Sequence, residues 1–196
     1  MITLGQCADI KGVEVTSCSS EAALLQTWHK VIREEMPDIL TGYNIFGFDY
    51  QYMFSRAKEN RCVNQFLRLS RNRGEVCGNE DYKTGEMKIK EKELVIASGT
   101  HQLKYIHMPG RIQIDLYNYF RRDYNLTSYK LDYVSGYFIG DKVSRIENLD
   151  GKTKIHSKNL TGLNVGNFVN FEEIAHSSDM YEDGKKFYVS EVGGKW

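Results

Sequence analysis

Apolar residues in this chain recur at two spacings, and the changes from one to the other mark its elements. Met1 to Leu4 enters as a short apolar run, Lys11-Gly12 reads as a turn, and Val13-Glu14-Val15 fits a second extended piece. From Leu24 the spacing becomes helical. Leu24, Leu25, Trp28, Val31 and Ile32 form one stripe, Ser19-Ser20-Glu21 offers an N-cap and a first-turn acid, and Pro37 ends the helix. Asp38-Ile39-Leu40 then reads as a buried strand that stops at Gly42-Tyr43-Asn44. A second helix is predicted from about Asp49 to Glu59, with Tyr52, Met53 and Ala57 on its buried side. Helix, strand and helix in this order form an α/β pattern.

Residues 61–98 lose that periodicity. Arg61, Arg68, Arg71 and Arg73 stand in a stretch with no acid before Glu75, and a solvated loop is the default reading of such a run. Asn79-Glu80-Asp81 and Lys83-Thr84-Gly85-Glu86 predict turns. Leu94-Val95-Ile96-Ala97 and Lys104-Tyr105-Ile106-His107 predict short buried strands, with hairpin propensity over 87–108. Arg111 to Asp115 alternates as a half-exposed strand should. Two further helices are marked by Leu116, Tyr119 and Phe120, and by Leu131, Val134 and Phe138, the last stopping at Gly140. Beyond residue 143, glycines punctuate short β-like pieces such as Phe168-Val169-Asn170-Phe171.

Charge narrows the chemistry little. The 26 basic residues of this 196-residue chain balance 26 acidic ones, so a nucleic-acid contact would be local and shape-dependent. Cys7, Cys18, Cys62 and Cys77 are scattered, without the spacing of a zinc site or a disulfide framework, which fits free thiols in an intracellular protein. No run approaches the roughly 18 apolar residues of a membrane helix, and no membrane partner is expected. The five histidines, His29, His101, His107, His156 and His176, fall in no nucleophile or zinc arrangement.

The chemistry concentrates in Gly42-Tyr43-Asn44-Ile45-Phe46-Gly47-Phe48-Asp49. Its two glycines have the spacing of a phosphate loop, but Phe48-Asp49 follows where such a loop has a lysine and a hydroxyl. A carboxylate there repels phosphate unless a cation intervenes. Two readings of Asp49 stand: a helix cap, and a ligand in a metal-mediated phosphate site, where hard oxygen donors suit Mg²⁺ or Mn²⁺. Asp115 likewise reads as a further ligand or as a structural partner for a backbone group or for Arg111.

Asn44 to Asp49 resembles the second exonuclease motif, Asn-x-x-x-Phe-Asp, of family B DNA polymerases. The resemblance continues through Gly110-Arg111-Ile112-Gln113-Ile114-Asp115-Leu116. It runs on through Arg122-Asp123-Tyr124-Asn125-Leu126-Thr127-Ser128-Tyr129-Lys130-Leu131, which is similar to a stretch of the delta-type enzymes. It covers most of residues 1–143. It implies that Asp49 is one of four carboxylates of a two-metal 3′→5′ proofreading site holding Mg²⁺ or Mn²⁺. It further implies that Asn44 lies beside the primer strand and that Phe48 packs against the site, giving both a nucleic-acid-binding role.

Other marks of the family do not occur. No Asp-x-Glu lies ahead of residue 37, and Tyr-x-x-x-Asp occurs only as Tyr119 to Asp123 and Tyr137 to Asp141, at positions where the family has other sequence. The third motif is expected beyond Trp196 and the first strand upstream of Ile2. The expectation is therefore a ribonuclease-H-like α/β exonuclease domain over 1–143, incomplete at its N-terminal edge, with a β-rich insertion or appendage over 144–196. That last segment resembles insertions in polymerases of large DNA viruses. The parent would be a DNA-directed DNA polymerase acting on primer-template DNA and single-stranded 3′ ends, with the rest of its own chain as partner. The isolated piece is expected to be inactive. The alternative is a non-catalytic DNA-binding or interaction module derived from the same fold.

Overall fold

The computed structural model of the chain describes residues 1–96, 99–149, 151–174 and 178–193. They form two compact units, Met1–Leu131 and Asp132–Trp196. The first opens with strands β1 (Ile2–Leu4) and β2 (Thr16–Cys18), paired in parallel. The second strand thus begins after the Val13-Glu14-Val15 piece assigned to it by pattern. Helix α1 spans Glu21–Glu35, and the Ser20 hydroxyl accepts the Ala23 N–H at 3.2 Å, as its N-cap position predicts. Leu25 and Ile32 are the buried members of its stripe, and Val31 faces outward.

Strand β3 (Ile39–Gly42) lies parallel to a strand far along the chain, β8 (Ile112–Asp115), with Ile39 opposite Ile112 and Gly42 opposite Asp115. Among the described residues this sheet has two strands. Its exposed positions explain why β3 is not the buried strand its apolar run predicts: Ile39 is 52% and Ile112 60% exposed. After β3 comes a π-turn, Ile45–Asp49, and then α2 (Tyr50–Glu59). Tyr50, Met53 and Ala57 recur at α spacing on the inner face of α2, and Tyr52 lies about 160° round the helix from Tyr50. Tyr50 and Ala57 are buried, while Tyr52, expected inside, is 55% exposed.

The core sits where periodicity failed. A short helix, α3 (Val63–Phe66), and the chain beyond it bury Phe66, Leu67 and Leu69 completely, together with Cys62 and Cys77. They pack with Leu25, Ile32, Ala57, Ile106 and Met108, and the Trp28 ring stacks on Phe66 at 5.5 Å. The arginines beside this core are not all solvated: Arg71 donates to the Met36 carbonyl at 2.7 Å and pairs with Asp38.

Two hairpins follow. Strands β4 (Asn79–Glu80) and β5 (Met87–Lys88) flank the predicted turn, and the Asp81 carboxylate accepts the N–H groups of Lys83 and Thr84 and pairs with Lys88. Strands β6 (Lys90–Ile96) and β7 (Gly99–Tyr105) form the second. Its Leu94 to Ile96 arm projects rather than burying, with Val95 73% exposed, and Ala97 lies outside the described residues. Helix α4 (Leu116–Asp123) closes the unit.

In the second unit, α5 (Leu131–Ile139, its first residue in the preceding unit) stops at Gly140, where the pattern placed its end. Beyond it lie paired short strands: β9 (Val143–Leu149) with β10 (Lys152–Ser157), β11 (Phe168–Val169) with β14 (Phe187–Tyr188), and β12 (Glu172–Ile174) with β13 (Ser178–Met180). Among the described residues of this unit only Val134 is buried, and Ile146 and Ile174 stand 60% and 74% exposed.

One electrostatic tie spans α1 and α2. Arg56 grips both carboxylate oxygens of Glu21, and the Asn60 amide adds a third bond at 3.1 Å. These bonds, Arg56 first, hold Glu21 down at about 2, against an ordinary 4.5. A depressed carboxylate contributes stability that is full above its unfolded value and lost as pH falls through its folded one, here between about 4.5 and 2. Asp81, also held at about 2, adds to the same acid response. Replacing Glu21 by Gln should therefore lower the thermal midpoint at pH 5 and flatten its fall toward pH 2, so that variant and native chains converge. Parallel curves across that window would remove the pair from the acid response.

Candidate active site

The turn between β3 and α2 is shaped by small residues and one left-handed backbone. Asn44 adopts φ 62°, a conformation asparagine tolerates better than other side chains. Its carbonyl accepts from Gly47 at 3.1 Å and Phe48 at 2.9 Å. A Cβ at Gly42 would stand 2.5 Å from the Ile45 side chain, and one at Gly47 would overlap the Asn44 amide oxygen. Both glycines are therefore needed for this close approach. The Asn44 amide oxygen lies against Gly47, where a side chain at that position would otherwise stand, and Asn44 stays partly exposed.

Asp49 ends the π-turn half-buried. Of its two sequence readings the cap fails: it stands in helical conformation and its carboxylate makes no capping bond. Among the described residues it takes no hydrogen bond and no ion pair. Phe48 beside it is 60% exposed and stacks on Tyr52, centroids 5.7 Å apart and planes within 7°. The structure thus brings Asn44, Phe48 and Asp49 together on one turn, with an unbonded carboxylate next to two exposed parallel rings.

Asp115 lies at the neighbouring strand end and is 5% exposed. Oδ1 accepts the N–H groups of Asn44 at 2.7 Å and Tyr117 at 3.0 Å, and Oδ2 accepts those of Phe46 and Asn118 at 3.0 Å. Of its two readings, the partner to backbone groups holds, and Arg111 is not among its partners. Arg111 instead turns inward to carbonyls of Ile32, Pro37 and Leu69. Tyr50, buried between the turn and the core, feels both acids. Burial first, then the charges of Asp115 and Asp49, push its phenol up to about 12. Phe46 completes the support, its ring 5.6 Å from Tyr105 at the foot of the β6–β7 hairpin. Sequence reasoning left Tyr50, Phe46 and Tyr105 unassigned. Only the apolar character of Phe46 and Tyr50 around a polar motif could have singled them out.

As donors for a cation, the described residues supply Asp49, a hard oxygen ligand free of competing N–H groups, which fits Mg²⁺ or Mn²⁺. Asp115 is saturated by its four donors. No group of three or more His, Cys, Asp or Glu residues capable of holding a metal occurs among the described residues. No described helix is long and apolar enough to cross a membrane.

Comparison with known proteins adds sequence relationships to this geometry. The family model described as DNA polymerase family B, exonuclease domain, matches residues 1–134. A DNA polymerase of Phaeocystis pouchetii virus is 47% identical over 182 residues, covering 92% of this chain and 17% of its own length. A DNA polymerase of Pyramimonas orientalis virus is 42% identical over 170 residues, 86% of this chain and 13% of its own length. The DNA polymerase delta catalytic subunit of Dictyostelium discoideum is 36% identical over 143 residues, 72% of this chain and 12% of its own length. The chain therefore spans less than a fifth of the length of each of these relatives.

Proposed function

Because the chain belongs to the exonuclease-domain family of family B DNA polymerases, we propose that it forms part of a proofreading 3′→5′ exonuclease. The polymerase carrying it would extend primers and excise mismatched 3′ ends by two-metal phosphodiester hydrolysis. The observation that carries this reading is the Asp49 carboxylate, half-buried on a shaped turn and bonded to no protein donor among the described residues. Asp49 would hold one divalent cation, Mg²⁺ or Mn²⁺. Bound there, such an ion polarises a phosphate oxygen or activates water. Asn44 and Phe48 would position the terminal nucleotides of a single-stranded 3′ end, the exposed Phe48 ring offering a face on which a base can stack. The remaining ligands would come from other parts of the polymerase.

The finer architecture follows the same reading. Residues 1–143 form part of a ribonuclease-H-like domain, and 144–196 a β-rich insertion. A sheet wider than the β3–β8 pair is supported by the exposure of Ile39, Ile112 and Ile114 on that pair. A viral parent is favoured by the 47% and 42% identity to the Phaeocystis pouchetii and Pyramimonas orientalis virus polymerases, against 36% to the Dictyostelium discoideum subunit. A polymerase containing this chain should shorten a 5′-labelled single strand from its 3′ end with Mg²⁺ or Mn²⁺ supplied, and stop when the ions are chelated. The purified 196-residue chain should leave the strand intact. Absence of excision by the polymerase would sink the reading. Robust Mg²⁺-dependent digestion by the isolated chain would show that it holds a complete site.

A further inference from the structure

The carboxylate of Asp115 has no part in that reading, although it is the most heavily bonded acid around the turn. Two of its bonds, to Tyr117 N and the Asn118 amide, are the local capping expected of an aspartate before a helix. The other two cross 71 and 69 residues of sequence to Asn44 N and Phe46 N. The first N–H groups of any helical segment lack acceptors within it. Here the segment is a π-turn, a rare winding, entered through a left-handed residue at φ 62°. Parallel pairing sets Asp115 opposite Gly42, so the sheet delivers its carboxylate to the point where the turn begins.

We propose that Asp115 is the positioning residue of this site: by clamping Asn44 N and Phe46 N it holds the five-residue winding that sets where Phe48 and Asp49 stand. Each residue advances a helix by about 100°, so rewinding the turn to ordinary α geometry would carry Asp49 to a different face. At the end of that winding the Phe48 ring lies over the outward-facing Tyr52 of α2, centroids 5.7 Å apart, so the winding also sets where these two exposed rings meet. The proposal rests on reading Asp49 as a metal ligand, but the clamp itself can be tested without any metal.

Asp115→Asn is nearly isosteric, yet an amide has one acceptor oxygen and presents an NH₂ donor in place of the other. Either the Asn44–Tyr117 pair or the Phe46–Asn118 pair then loses its acceptor. In the 196-residue chain, amide exchange over residues 43–50 should quicken by about 10-fold or more, while residues 62–69 in the core keep their protection. Asp115→Glu, which keeps both acceptor oxygens, should recover part of it. In the polymerase, Asp115→Asn should lower kcat for 3′-end excision by about 100-fold, leave KM for the strand within about twofold, and add nothing once Asp49 is already Asn. Unchanged exchange over 43–50 would overturn the clamp. So would loss of protection in the core as well, since Asp115 would then serve the whole fold. Full additivity with Asp49→Asn would break the link between the two acids. If Asp49→Asn alone left excision intact, the reading beneath would fall, and the exchange result would still decide the clamp.

Discussion

Replacing Arg111 by methionine should destabilise the first unit by about 3 to 5 kcal/mol, a large share of the 5–15 kcal/mol typical of a folded domain. Arg111 is 8% exposed, and burial holds its guanidinium below the usual arginine value. Its nitrogens donate to three backbone carbonyls, of Leu69 at 3.0 Å, Pro37 at 2.5 Å and Ile32 at 3.2 Å. Those carbonyls belong to the core segment, the entry to β3 and the last turn of α1. One planar side chain thus satisfies acceptors from three elements and fixes where β3 leaves the helix. A buried ion pair can be exchanged for apolar groups at little cost when both partners go together. Here the partners are main-chain carbonyls that no substitution removes, so methionine fills the volume and leaves them unsatisfied.

Lysine should do little better, because one ammonium cannot reach three carbonyls that a flat fork spans. The thermal midpoint of Arg111→Met should fall on the order of 10 °C. A change under about 1 kcal/mol in chemical denaturation would mean that water replaces the guanidinium, and that Arg111 is not the joint between α1, β3 and the core.

Why some of this was legible and some was not follows from the range of the interactions. The Ser20 cap, the Asp81 turn and the stop at Gly140 are local, each settled within a few residues, and pattern found them. The cluster Asn44, Phe48 and Asp49 was legible because one turn carries all three. Phe66, Leu67 and Leu69 were missed because they bury in a four-residue helix and an irregular stretch set among arginines, where no period accumulates. Tyr52 was misplaced because the pattern grouped it with Ala57, although at about 100° per residue the two stand about 140° apart on α2, and Tyr50, Met53 and Ala57 make the inner face. The Asp115 bonds to Asn44 and Phe46 were out of reach for another reason: they cross 71 and 69 residues, and no local spacing encodes them.

The same isolation of Asp49 makes its replacement the cleanest functional test. In the polymerase carrying this chain, Asp49→Asn should cut excision of a mismatched 3′ end by about 10³-fold, equivalent to ~4 kcal/mol of transition-state stabilisation. Primer extension should persist. An amide keeps the shape of the carboxylate but lacks the charge that would hold a divalent cation. The fold has no stake in that charge, since among the described residues the carboxylate caps no helix, accepts no hydrogen bond and pairs with no cation. Stability should therefore stay within about 0.5 kcal/mol of the native chain, the range of substitutions that break no named contact. That contrast separates Asp49 from Arg111, whose loss should weaken the fold and excision together. Excision that survived Asp49→Asn with an unchanged dependence on Mg²⁺ concentration would remove Asp49 from the metal site. A fall in excision matched by a fall in thermal midpoint would instead make the residue structural, against the unbonded carboxylate seen here.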